Sequence, residues 1–465
     1  MKAQILFTAL VLQFSVSLQA QDPEVYRLRL DIPLFDYPQN LSLPGYFPSM
    51  NQSLEWSRDF YELGFYGIDA LGNAIFRPGN NPGYQLRNIS NHAFKYLSGL
   101  AFSRYASELP IPLGVWAHEE FHRTVLGEAG VPSKNGNWLF HRWDGTVYGI
   151  PDEMLEILKA DEPDRLLNSY VAGVQYEVIL NRRISTGDFY HHRSLAKNAL
   201  LLYNAWYVHN YFRFSTSAAS DSVKIIAPPH EDPDPALRDY AGADLTAWAA
   251  DMFNPGLPYT ETRDPFPNGE GVNRRVGFSD LSSEAQEYLV RQKRLSLLNF
   301  LNPAIFFVNR IRLSPEFSFN LFTQYAPTHF GNDIALLVPL KIMDHNLLVN
   351  AHRYGNRSAA GYGIGLGVFD FRLSERMSAD MELDLWNQPA SFLLNEKKAG
   401  GSLSIRPQFI IGSAISGYIR LSGKTHGWQM GNPYLEKNLS VQLGMNINVG
   451  IPCLLYTSPS PRDRT

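Results

Sequence analysis

Cysteine is almost missing from this chain: one residue, Cys453, in 465. It opens the closing stretch Cys453-Leu-Leu-Tyr-Thr-Ser-Pro-Ser-Pro-Arg-Asp463, which resembles one reading frame of the transposase adapter used in shotgun sequencing libraries. Residues 453–465 are therefore set aside as translated debris, and the natural C-terminus is expected to be missing by an unknown length. Without them no cysteine remains, so disulfide staples and thiolate zinc ligands are excluded. Long apolar runs are also scarce. Ile5 to Val16 is too short to cross a bilayer and reads, after Met1-Lys2 and before Ala20, as the core of an export signal over residues 1–20. The run Leu295 to Val308 is broken by Asn299, Asn302 and Pro303. A net charge of −4 gives no electrostatic case for nucleic acid, and no internal repeat is evident.

What is present is a large apolar reserve, 45% hydrophobic and 13% aromatic, enough for a sizeable core in two or three domains. The opening region up to about residue 84 is rich in Pro, Gly, Asn and Tyr, with a short alternating strand at Tyr26 to Ile32 and a turn cluster at Arg77-Pro-Gly-Asn-Asn-Pro-Gly83. A helical period then holds. Helices are predicted over Ala93–Ser107, Leu113–Glu128, from Pro151 onward, and over Pro163–Arg183, Ser194–Phe212, Leu237–Phe253 and Glu284–Phe300. Beyond about Ser314 the period drops to two. Tyr362, Ile364, Leu366 and Val368 alternate with glycines, and Met381, Leu383 and Leu385 alternate with Glu382 and Asp384. Strands of about ten residues, apolar on one face and polar on the other, fit an outer-membrane barrel of about eight or more strands. Phe330, Tyr354, Trp386, Tyr418 and Trp428 would suit its interfacial girdles. A soluble barrel or sandwich, with the apolar face turned inward, is the alternative. The fold class read from these patterns is α+β: a mainly helical domain over 21–312, then an antiparallel β-barrel over 313–452.

The most chemically pointed stretch is Trp116-Ala-His-Glu-Glu-Phe-His-Arg123. On a helix His118 and His122 lie one turn apart on one face, so two imidazoles can meet one cation while Glu119 reaches a water bound to it. Neutral imidazole suits zinc, and zinc lowers the pKa of its water to about 7. A third ligand is needed. Glu177 is the leading candidate, because it shares a helical stripe with Tyr170, Gly173 and Val174, and a metal would offset the cost of burying its charge. Ala172 and Gly173 would allow that helix to approach the His118 helix closely. His141 is the runner-up ligand, and a pairing of Glu177 with Arg182 or Arg183 is the structural alternative. Asp152 and Glu153 look like ordinary first-turn acids. Tyr203, Tyr207 and His209 lie on a helix that could face the site, though packing roles suit them better.

These residues resemble the gluzincin group of metallopeptidases, in which HExxH is joined by a glutamate from a later helix. The resemblance covers the motif helix and the Glu177 helix. The residue before Glu177 is Tyr176, so the group's usual second motif is absent. It implies Zn2+ held by His118, His122 and Glu177, with Glu119 as general base on a water attacking a peptide carbonyl. The expected protein is thus an exported zinc metallopeptidase-like hydrolase in the outer membrane of a Gram-negative cell envelope, with peptide or protein substrate and membrane lipid as partners. A zinc hydrolase acting on a non-peptide bond is a variant of this reading. The competing class is a non-enzymatic envelope scaffold or binding protein whose metal is structural or absent.

Overall fold

The computed structural model describes residues 25–37, 48–79, 81–109, 111–136, 146–191, 193–412 and 414–450. The export signal, His141 and the closing 453–465 lie outside these residues. In chain order the elements are β1 (Val25–Tyr37), α1 (Met50–Phe76), α2 (Gln85–Tyr105), α3 (Gly114–Glu128), the short pair β2 (Lys134–Asn135) and β3 (Val147–Tyr148), α4 (Asp152–Asp161), α5 (Pro163–Tyr190), α6 (Leu195–Ser215), α7 (Ala218–Ile226), α8 (Asp244–Phe253) and α9 (Ser283–Ser296). Strands follow: β4 (Ile311–Arg312), β5 (Phe317–Phe319), β6 (Phe322–Thr328), β7 (Gly331–Ile342), β8 (His345–Gly355), β9 (Ala360–Ser374), β10 (Met377–Pro389), β11 (Lys397–Ile410), β12 (Ile415–Lys424) and β13 (Asn438–Gly450). The α+β class holds, with helices and an antiparallel sheet in one chain. No helix among the described residues is long and apolar enough to cross a membrane, which says nothing of a β-barrel.

The longest departure from the sequence pattern is α1, which occupies a stretch that reads as irregular. Its first turn is well specified, since Ser49 Oγ accepts from Gln52 N–H and Gln52 Oε1 accepts from Ser49 N–H, a capping box. The buried face is what misleads a hydrophobicity reading, because it includes Gln52, Glu55, Arg58, Asp59 and Glu62. Glu55 sits between two guanidiniums, 3.2 Å from Arg29 Nη1 and 2.7 Å from Arg58 Nη1. Apolar residues stand on the buried side (Met50, Leu54, Tyr61, Phe65) and on the exposed side (Phe60, Leu63, Leu71, Ile75) alike, so no single apolar stripe marks the inward face.

The sheet explains why that side is polar. Its order is β1-β13-β12-β11-β10-β9-β8-β7-β5-β4, with β6 also pairing β7. Along β9 to β13 most aliphatic residues point away from the helices, Ile364 64% exposed and Leu383 44%, whereas β7 and β8 bury Leu337 and Leu348 in a small cluster with Phe322. The alternate residues are buried and polar, among them Asp380, Arg406, Gln408 and Asn446, joined by the Arg406–Asp380 ion pair and by Gln408 and Asn446 hydrogen bonds. Helix α5 meets this inner side, Gln175 donating to Pro327 O at 2.9 Å and Gln324 of β6 donating to Val178 O at 2.9 Å.

Two expectations need correction. The sheet does not close into a barrel: it runs linearly from β1 to β4, and these end strands do not pair. The physical reason lies at both ends. β4 and β5 span two and three residues, too little ladder for a 13-residue partner. Meanwhile α1 occupies backbone groups of β1, with Arg29 N–H donating to Asp59 at 2.8 Å and Gln52 Nε2 donating to Asp31 O at 3.2 Å. Polar side chains thereby blunt an edge that would otherwise invite pairing. The second correction concerns the aromatic girdle. Phe330, Tyr354, Trp386, Tyr418 and Trp428 are all buried rather than outward, and all but Tyr418 join the main hydrophobic core.

Candidate metal centre

Helix α3 carries the HEEFH motif and ends where Gly130 takes a left-handed φ of 76°, a conformation that glycine adopts without strain. It crosses α5 at Gly173. A Cβ on that residue would stand 2.3 Å from Nε2 of both His118 and His122, so the two rings rest against bare α5 backbone. The close approach anticipated from the small residues of α5 is the feature that brings the rings together.

Each ring is held by its far nitrogen. His118 Nδ1 lies 3.0 Å and 3.3 Å from the two carboxylate oxygens of Glu177, and His122 Nδ1 donates to Ser169 O at 2.6 Å. Carboxylate and carbonyl both accept, so both Nδ1 atoms are the protonated ones and both Nε2 atoms turn toward a common point. Asp244, the first residue of α8, supplies an oxygen there: Oδ2 is 3.7 Å from His118 Nε2 and 3.3 Å from His122 Nε2, and it accepts from Tyr211 O–H at 2.6 Å. His122 Nε2 is buried without a hydrogen-bond partner. The three ligand atoms lie within 4.8 Å of one another, and this His118-His122-Asp244 group could hold a metal ion. Ligands at roughly 2.0–2.2 Å around a tetrahedral ion stand roughly 3.3–3.6 Å apart, close to the observed separations. An orphaned imidazole nitrogen, a cradle open only because residue 173 lacks a side chain, and an N/N/O donor set all fit such an ion.

Glu177 therefore does not join the two histidines where the sequence places it. One turn beyond Gly173 on α5, its carboxylate meets the Nδ1 side of the His118 ring, opposite the side facing Asp244. It is an orienting group of the kind that fixes a ligand's tautomer. Asp244 is the residue that sequence reasoning missed. It stands 122 residues after His122, inside the helix predicted over Leu237–Phe253, which in the structure begins only at Asp244. The available signal was its setting, Ala243-Asp-Leu-Thr-Ala-Trp-Ala-Ala-Asp251, an apolar helix with two acids. Asp251 has its cations, Arg263 in a bidentate pair at 3.0 Å and 2.9 Å and Lys159 at 2.8 Å, whereas Asp244 meets only histidines and a tyrosine.

Burial shapes the electrostatics. It pushes the Glu119 carboxyl up to about 8, although His118 and His122 pull the other way. Burial would raise Asp244 too, but His122 and His118 outweigh it and hold that carboxylate well below its usual range. Burial disfavours charge on His118, yet Glu177, Asp244 and Glu119 together keep its pKa well above the ordinary value. Glu120 is engaged elsewhere, accepting from Arg123 at 2.6 Å and Asn135 at 2.7 Å, which leaves Glu119 as the motif's acid at the centre. Tyr207 and Tyr211 face His118, with ring centroids 5.9 Å and 6.2 Å away, and Tyr240 faces His122 at 5.8 Å. His209 turns away to Ser296 Oγ at 2.9 Å, Tyr203 packs at a tilt against Trp206 and Tyr207, and Asp152 pairs with Arg274 at 2.7 Å. A scan against protein-family models and searches of curated proteins and solved structures found no match to this chain.

The two carboxylates are separable by experiment. If structural zinc binding of about 10–16 kcal/mol is shared among four ligands, one ligand is worth about 3 kcal/mol, or roughly a hundredfold or more in affinity. Asp244→Asn is expected to lose at least that much. Glu177→Gln, which disturbs only the orientation of His118, is expected to lose about 10- to 100-fold. Competition against a metal-sensitive dye measures both, and a weaker effect at Asp244 than at Glu177 would reverse the assignment of ligand and support.

Proposed function

We propose that the chain is a zinc-dependent hydrolase of the HExxH type acting on peptide or related carbonyl substrates, with His118, His122 and Asp244 as ligands and Glu119 as general base. The observation that carries this reading is the convergence of both Nε2 atoms and Asp244 Oδ2 on one point beside a buried Glu119. Zinc bound there would polarise a substrate carbonyl and acidify a water. The rest falls to the protein. Glu177 and Ser169 O fix which imidazole nitrogens are free, and Tyr211 holds Asp244 by donating to its Oδ2. Glu119, buried beside the two histidines, is the group that would take a proton from water and return it to the leaving amine. Zinc content and turnover test the proposal together. About one equivalent of zinc, with cleavage of a fluorogenic peptide library that a chelator abolishes and zinc restores, is the expected result. A stoichiometric ion without turnover on any library would favour the second reading, a structural metal, for which burial speaks directly: His118 is 3% exposed and Glu119 8%.

We further propose that the outward apolar face of β8–β13 contacts membrane lipid, as in an outer-membrane location. Support comes from the polarity of the sheet, apolar outward and charged inward, over strands of 10–15 residues. Leu383→Arg, at an outward position of β10, discriminates. In lipid it is expected to cost about 2–4 kcal/mol of stability, whereas on a water-facing surface it would shift stability by about 0.5 kcal/mol or less. Urea unfolding in vesicles measures the difference, and a neutral Leu383→Arg protein would remove the lipid assignment.

A further inference from the structure

Away from the metal centre, a cavity of about 210 Å³ opens between the α4–α5 junction and the ends of β10, β11 and β12. It is lined by Asp161 and Asp164 on the helical side, and by His329, Lys398 and Trp428 on the sheet side. Two of these groups are buried nitrogens without a hydrogen-bond partner, His329 Nδ1 and Trp428 Nε1, in side chains 5% and 2% exposed. An indole nitrogen can only donate, and buried donors in folded proteins are nearly always met, so Trp428 asks for an acceptor that the protein does not provide. The charged groups Asp161, Asp164 and Lys398 make no direct pair: Asp164 and Lys398 attract one another only at a distance, and Asp161 and Lys398 stand at the exposed rim. Among the described residues neither Asp161, Asp164 nor Lys398 forms an ion pair or side-chain hydrogen bond, although all three line one space. Burial, with Lys398 and Lys424 nearby, keeps His329 neutral by drawing its pKa down to about 3. The other charges of the lining, Glu162, Arg165 and Glu436, pair with one another, which leaves acids on the helical wall and a cation and a buried N–H on the sheet wall to complement a small molecule that carries both charges.

We propose that this cavity binds a small zwitterion, an α-amino acid or short peptide, its ammonium against Asp161 and Asp164 and its carboxylate against Trp428 Nε1–H and Lys398. The placement gives Trp428 Nε1–H an acceptor and Asp161, Asp164 and Lys398 charged partners, with His329 lining the same space. Water alone could fill the space, but water would not distinguish a free amino group from an acylated one. The site is independent of the metal, so binding is expected to survive chelation.

Isothermal titration of the purified full-length protein, with and without chelator, tests the assignment using alanine, the dipeptide Ala-Ala, N-acetylalanine and alaninamide. Saturable binding of alanine or Ala-Ala is expected, with N-acetylalanine and alaninamide weaker by about tenfold or more, since each lacks one charge-assisted contact. Lys398→Gln, at an exposed position that should not disturb folding, is expected to weaken zwitterions about tenfold while leaving alaninamide unchanged, and Asp164→Asn to do the converse for N-acetylalanine. No saturation by either zwitterion up to about 10 mM, an affinity of only about −2.7 kcal/mol, overturns the proposal. So does equal binding of the blocked compounds.

Discussion

Gly173→Ala is expected to empty the metal centre while leaving the fold in place. A methyl at residue 173 would lie 2.3 Å from Nε2 of His118 and of His122, far inside contact distance. Neither ring can swing aside cheaply, because Glu177 and Ser169 O hold them from behind. Elsewhere in a helix the same change would stabilise by about 1 kcal/mol, so helix propensity works against the predicted defect and cannot produce it. Bound zinc should fall below about a tenth of an equivalent, because the methyl would take the space required by an ion about 2 Å from each nitrogen. Metal analysis beside far-ultraviolet circular dichroism measures both halves, and a Gly173→Ala protein with full zinc would mean that the imidazoles do not gather around α5 as described.

Glu119→Gln should separate binding from turnover. The amide keeps the size of the carboxylate and its place beside the histidines but cannot take a proton. General-base catalysis is commonly worth about 10²–10⁴-fold, so turnover should fall by roughly that factor with zinc content unchanged. Loss of both together would make Glu119 a structural partner of the site. Unchanged turnover would leave the motif without its base.

The sequence made the helical half of this centre legible because its signal is local. His118 and His122 are one turn apart, and Gly173 announces a close crossing through its lack of side chain. Glu177 was recognisable as an acid aimed at the histidines, but position along a stripe does not say which nitrogen of a ring it will meet. Asp244 had no local signature. Helix α1 was missed for a different cause: its buried side, with Glu55, Arg58 and Asp59, matches the polar side of the sheet, so the rule that apolar residues face inward fails there. Trp386 and Trp428 go the other way: their aromatic character suggested a surface belt, but strand parity and loop contacts turn them into the interior. Alternation revealed the strands well, yet it carries no information on whether the first and last of them meet.

The pairing of β1 with β13 joins Val25 to Gly450, nearly the two ends of the described chain. The ladder cannot form until residue 450 has been made, and contacts of such sequence separation are slow to form. Until then β13 presents a bare flank beside a water-averse surface, the combination that drives self-association of incomplete folds. A chain that closes its outermost ladder last needs that flank of β13 covered in the interval.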